Sequence, residues 1–313
     1  MICPFHQLHW ESGVDLQGYF RPTTLEEALE ILDAHRGRAR VIAGGTDVIP
    51  QLRRKELQAD FLVDLAGIRG MGGIVLRDGI MSLGAMVTHS QICASALLRE
   101  KALPVVEGAE ALGSPQIRNI STIGGNLVSG QPAADSSLPL LALKASVRVI
   151  SLGGERTIPL SEFFQDQGQT SVDPRREILT EISFPALREH QGAGYLRLSK
   201  RNALSLPILA LAVVITIDPS RRRFEEVALA LGPVAPIPFR AVRTEAMLKG
   251  AAICRETLEG AGEMASEECN PRSSLLRGSA EYRKEMVKVL VRRGLAMALA
   301  RAGFSAIGDR DDG

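Results

Sequence analysis

The chain has 313 residues, 45% of them hydrophobic, enough to bury a core and, at roughly 150 residues per domain, to build about two domains. Its 37 Lys and Arg nearly balance 36 Asp and Glu, so no net field would hold nucleic acid or an anionic membrane. The longest apolar run, residues 207–217, is too short to cross a bilayer, and the opening MICPFHQLHWESG lacks the basic start and apolar stretch of a secretory signal, so a cytoplasmic location is expected.

Residues 1–18 read as an N-terminal arm. It carries Cys3, His6 and His9, three ligand types without a fourth nearby, and no metal site is expected there. The other cysteines, Cys93, Cys254 and Cys269, are scattered, with none of the C-x-x-C spacing that holds zinc or an iron–sulfur cluster. Thr24 and Glu27 form a capping-box pattern ahead of Leu25, Ala28, Leu29 and Leu32, which marks an amphipathic helix. Residues 40–43 and 61–65 read as short buried strands around a small α/β unit. Asp78-Gly79, between residues 74–76 and 80–83, signals a hairpin, and a second is expected around Gly153-Gly154. Residues 91–99 and 105–112 read as helical, and residues 119–135 as a polar, glycine-rich segment outside regular structure. Residues 195–199, 208–217 and 227–231 read as strands. In a final helix over residues 281–301, Val287, Leu290, Val291, Gly294, Leu295 and Ala298 share one face, with Lys284, Lys288 and Arg292 on another. Residues 303–313 read as a flexible tail.

Two glycine turns carry the functional signal. Val41-Ile42-Ala43-Gly44-Gly45-Thr46-Asp47 is a strand end running into a tight turn, where missing side chains let backbone amides approach an anion such as a diphosphate. It is not the G-x-G-x-x-G of the dinucleotide-binding Rossmann fold. Thr122-Ile123-Gly124-Gly125-Asn126 repeats the logic with more polar groups. Thr122 and Asn126 can donate to phosphate oxygens, and Asp135 can accept from a ribose hydroxyl or a flavin N–H.

Residues 42–50 (IAGGTDVIP), 116–127 (QIRNISTIGGNL) and 132–143 (PAADSSLPLLAL) resemble the signatures of the FAD-binding subunit of molybdenum hydroxylases, the xanthine, carbon monoxide, nicotine and hydroxybenzoyl-CoA oxidoreductases. Residues 231–248 and 277–293 resemble that subunit's C-terminal domain, so the likeness runs from about Phe20 to Arg301. It implies an α+β chain with the vanillyl-alcohol-oxidase-type (PCMH-type) two-subdomain FAD fold over residues 19–189, divided into 19–72 and 73–189, and a C-terminal sheet-and-helix domain over 190–302. It also implies FAD as cofactor, with its diphosphate between the two glycine turns, Leu179 at an apolar cofactor contact, and Arg197 where many members carry a Lys near the flavin ring. Arg changes the donor geometry there, Ser205 and Ser274 stand where Asp is common, and the four-cysteine insertion of hydroxybenzoyl-CoA reductases is absent.

No residue pattern marks acid–base or nucleophilic catalysis. The resemblance implies an electron-transfer subunit of a heteromeric oxidoreductase. Its partners would be a small 2Fe-2S subunit and a large molybdopterin subunit, in a dimer of heterotrimers, with NAD as one acceptor. A stand-alone FAD-dependent reductase or oxidase, and a non-catalytic scaffold subunit, are the alternatives.

Overall fold

The computed structural model describes residues 16–201, 204–218, 220 and 222–304. Cys3, His6 and His9, most of the N-terminal arm and nearly all of the C-terminal tail lie outside the described residues. The chain forms two compact units that interleave along the sequence. One gathers residues 16–91, Ser114–Gly130 and Ala145–Phe184, the other Ile92–Gly113, Gln131–Lys144 and residues 185–304.

In the first unit, helix Leu25–Ala34 starts where the capping box places it. The Thr24 hydroxyl accepts from the Glu27 amide at 3.1 Å, and the Glu27 carboxylate accepts from the amide of Thr23 at 2.8 Å, one residue earlier than the usual reciprocal bond. The helix buries Ala28, Leu29 and Leu32. Three parallel strands follow the order Gly18–Phe20, Phe61–Asp64, Ala39–Ile42. The second sheet of this unit has five strands, in the order Ile74–Arg77, Ile80–Gly84, Ile178–Pro185, Ser146–Ser151, Gly154–Pro159. Its first hairpin turns on Asp78 and Gly79, both at positive φ (51° and 76°), the backbone that a two-residue Asp-Gly loop supplies.

The stretch 91–99 is not one helix. Ser95 leaves helical geometry and caps a new start, its hydroxyl accepting from the Leu98 amide, so helices His89–Ala94 and Ala96–Lys101 meet there.

The second unit is built on a four-stranded antiparallel sheet, Gln191–Leu198, Leu209–Ile217, Phe224–Gly232 and Phe239–Arg240 in that order. Leu209, Leu211, Val213, Ile215 and Ile217 share one core with Leu258, Ala261 and Ala265 of helix Arg255–Glu268 and with Val287, Leu290, Val291, Leu295 and Ala298 of helix Ala280–Arg301. The buried face of the last helix is the one its sequence spacing gives. Gly192 lets that helix close on the sheet: a Cβ there would lie 1.8 Å from the Ala298 carbonyl oxygen. Arg301, at the helix end, pairs with Glu107 at 2.6 Å. Among the described residues, no helix is long and apolar enough to cross a membrane.

Candidate functional site

Strand Ala39–Ile42 delivers Ala43, Gly44, Gly45, Thr46 and Asp47 as a turn into helix Val48–Arg53. Val41 is half-buried in that strand, and Ile42 packs with Leu52 and Leu62 beneath the turn. Gly45 has φ +71°, which an L side chain resists. Among the described residues, no acceptor pairs with the amides of Gly44, Gly45 and Thr46. Asp47 precedes the helix without capping it through its side chain, and partial desolvation raises its carboxyl above the usual range while Arg54 pulls it back.

The second turn comes within van der Waals contact of the first. A Cβ on Gly44 would lie 1.9 Å from the Ile120 carbonyl oxygen and 3.0 Å from the Ser121 Cα, so only glycine permits this approach.

Residues 122–126 are not outside regular structure, as their composition suggests. Thr122 is the N-cap of the short helix Ile123–Val128, its hydroxyl accepting from the Gly125 amide at 3.2 Å. The segment is fixed by amide donation from Ile123 to the Val87 carbonyl and from Gly124 to the Ala85 carbonyl, each at 2.9 Å, and Gly124 leaves no room for a Cβ against Ala85. Gly125 differs: it is exposed, and a Cβ there would meet only the Thr122 hydroxyl.

The Asn126 carbonyl oxygen Oδ1 is buried with no hydrogen-bond partner. An unpaired buried acceptor is costly, so it calls for a donor such as a hydroxyl or a ring N–H rather than a phosphate oxygen.

Leu179 lies in strand Ile178–Pro185 of the same unit, paired with Val149 and buried, beside a register shift between Leu179 and Glu181. Asp135 and Arg197 come together in the other unit, with Tyr195. The Tyr195 hydroxyl donates to Asp135 Oδ1 at 2.5 Å, and Arg197 Nε stands 3.3 Å from the same oxygen. That ion pair is not aligned as a hydrogen bond, and Nε has no acceptor; Nη1 donates to the Ala111 carbonyl at 2.6 Å and Nη2 to the Ser205 carbonyl. Ser205, in place of an Asp, therefore still receives Arg197 through its backbone. Burial pushes Asp135 up to about 6, against the opposing pull of the Tyr195 hydrogen bond and the Arg197 charge. Burial likewise holds the Tyr195 phenol well above its ordinary value, helped by the Asp135 charge.

Two participants escape a sequence reading. Tyr195 sits two residues from Arg197 in strand Gln191–Leu198, hence on the same face, and that spacing was the available signal. His89, fully buried, places Nδ1 3.0 Å from the Ser121 carbonyl and 2.9 Å from the Ser121 hydroxyl, bracing the second turn from behind. Burial lowers it to about 4. A lone buried histidine has no spacing that announces this role. Among the described residues, no cluster of three or more His, Cys, Asp or Glu could hold a metal.

Residues 12–187 match the family model described as the FAD binding domain in molybdopterin dehydrogenase, and residues 194–298 match the CO dehydrogenase flavoprotein C-terminal domain. The xanthine dehydrogenase FAD-binding subunit of Escherichia coli O157:H7 is 31% identical over 92% of this chain and 98% of its own. The carbon monoxide dehydrogenase medium chain of Hydrogenophaga pseudoflava is 29% identical over 90% of this chain and 97% of its own. A solved structure of carbon monoxide dehydrogenase from that organism superposes with a TM-score of 0.86 at 29% identity, covering 90% of this chain and 97% of that one. Quinoline 2-oxidoreductase from Pseudomonas putida 86 gives a TM-score of 0.83 at 26% identity, covering 91% and 97%. A first glycine turn with open amides, a second turn touching it and an orphaned acceptor fit the cofactor that the family model specifies. The chain belongs to the FAD-binding medium subunits of the molybdenum hydroxylase family, among the xanthine and carbon monoxide dehydrogenases.

Proposed function

We propose that this chain is the electron-transfer subunit of a heteromeric molybdenum hydroxylase. It would receive electrons from the 2Fe-2S clusters of a small subunit, which a large molybdopterin subunit feeds, and deliver them to an external acceptor such as NAD. The FAD-binding domain would span residues 19–189 and the C-terminal domain 190–302, and the complex would be a dimer of heterotrimers.

The observation that carries the FAD assignment is the seating of Gly44 on the Ile120 carbonyl, which makes one cradle of two turns distant in sequence. Ala43 to Asp47 would hold the diphosphate from one side through the open amides of Gly44, Gly45 and Thr46, and Thr122 to Asn126 would face it from the other through the Thr122 hydroxyl and the side-chain-free surface of Gly125. Asn126 would accept from a hydroxyl or N–H of the cofactor. Asp135 and Arg197 would lie toward the flavin, each fixed by Tyr195 or by a carbonyl, and Leu179 would supply an apolar contact. When bound, FAD supplies reversible two-electron and one-electron redox chemistry, and the protein supplies binding, position and electrostatics. The relatives support the multi-subunit reading, since they include a 6-hydroxypseudooxynicotine dehydrogenase complex subunit from Paenarthrobacter nicotinovorans and the carbon monoxide dehydrogenase medium chain from Hydrogenophaga pseudoflava.

The test is anaerobic addition of NADH to the complex purified with the products of adjacent genes. Bleaching of the flavin band followed by the iron–sulfur bands is the expected result. An isolated chain that oxidises NADH and reduces a small organic substrate by itself, with no dependence on partners, would overturn it in favour of a stand-alone enzyme.

A further inference from the structure

Leu204 and Leu206, on the loop before strand Leu209–Ile217, and Leu275, Leu276 and Tyr282, on and after the loop before helix Ala280–Arg301, are large apolar side chains standing in solvent. Leu275 is fully exposed and Leu276 74% exposed. Scattered exposed leucines are ordinary, but these belong to two loops tied together. The buried Arg283 donates to the Ile208 carbonyl at 3.2 Å and to the Arg272 carbonyl at 2.9 Å, so one guanidinium clamps the bases of both loops.

Hydrogen bonds tie down the described residues of both loops. Arg197 donates to the Ser205 carbonyl, and Arg201 to the Leu204 carbonyl at 2.8 Å. Leu204 is kept at φ +51°, a backbone that costs a leucine free energy and persists only where surroundings impose it. In the other loop, Ser274 pairs with Gly278, and the Ser273 hydroxyl accepts from the Ala280 amide at 2.9 Å.

The charge on the two loops themselves has one sign, while the exposed Glu281 stands beside Tyr282 at the start of the helix. Residues 199–208 and 270–279 contain Lys200, Arg201, Arg272 and Arg277, and no Asp or Glu. Lys200, Arg201 and Arg272 are exposed.

We propose that these two loops form a docking surface for another subunit of the same complex, one that presents an apolar spot rimmed by carboxylates. The leucines would fill the dry centre of the contact, and the cations would steer and register it from the rim. The inference rests on the subunit reading above and deepens it by assigning the surface used.

The test takes the full chain produced with its partner subunits and measures their apparent Kd for wild type and for the double variant Leu275→Glu/Leu276→Glu. Both sites are exposed, so FAD content and thermal midpoint should match wild type. The variant should bind its partners at least about 10-fold more weakly, as expected when central apolar contacts are replaced by charge. Arg272→Glu should weaken binding and flatten its salt dependence. Leu152→Glu, 56% exposed on a hairpin of the other unit, should leave binding unchanged. A double variant that assembles like wild type overturns the proposal. So does a defect confined to sedimentation with phosphatidylglycerol vesicles, or to self-association of the isolated chain, since those assign the surface to lipid or to a second copy. A wild-type chain that joins its partners through a surface the double variant leaves intact overturns the docking surface alone. A wild-type chain that joins no partner, with or without FAD, overturns the subunit reading with it.

Discussion

Asp135 and His89 respond to pH in opposite directions, although both are buried. Asp135 binds its proton more tightly when folded, at about 6 against an ordinary 3.8. Its effect is therefore most favourable below pH 4 and is lost as pH rises to 6, a change of about 3 kcal/mol. His89 is held near 4 against an ordinary 6.5, so the unfolded chain binds the extra proton; its stability is present above pH 6.5 and is lost as pH falls toward 4, again by about 3 kcal/mol. The two nearly cancel. Urea midpoints measured across pH 4–6.5 should fall with decreasing pH more steeply in Asp135→Asn than in wild type. His89→Gln should shift the slope the other way, and parallel curves for all three chains would contradict this. Of these two residues the sequence reading singled out Asp135 alone, because a motif surrounded it; a solitary histidine became meaningful once folding set it behind Ser121.

At the scale of elements, legibility followed length and capping. Helix Leu25–Ala34 and the last helix declared themselves through periodicity, and the Asp78-Gly79 hairpin through its turn residues. The helices near the second glycine turn have six residues each, too few to show a 3.6-residue period, so Thr122 read as a loop residue rather than as a cap. Thr122→Val should therefore lower stability by about 1 kcal/mol through the lost cap and reduce FAD retention as well, while Thr122→Ser preserves both. Thermal melts with flavin release decide it; an unchanged melt would show that the cap contributes nothing. Gly192 makes the corresponding point for packing. Gly192→Val drives a side chain into the Ala298 carbonyl and should cost more than about 2 kcal/mol in the urea midpoint, whereas Gly250→Ala, with open space around it but φ +78°, should cost about 1 kcal/mol.

Across the whole molecule, motif order reached the family and its cofactor from residues 42–50 and 116–143, because the close packing of the turns admits only glycine at positions 44 and 124 and so leaves a pattern. What it did not reach is how the chain interleaves. Ile92–Gly113 and Gln131–Lys144 pack with the C-terminal sheet and last helix, through contacts such as Glu107 with Arg301 and Lys144 with Glu226 that join residues far apart in sequence and have no local periodicity. Nor did composition reveal the paired apolar loops, since exposed leucines in sequence look like core leucines.

The most direct test of the two-turn cradle is the molar ratio of released FAD to protein for wild type and for Gly125→Gln. At this exposed glycine a new side chain meets only the Thr122 hydroxyl of the protein itself, so the fold should survive. Stoichiometric FAD in wild type and a yellow colour largely lost in a variant with an unchanged melting temperature is the expected result. Stoichiometric FAD in the Gly125→Gln chain, or none in either, would contradict it.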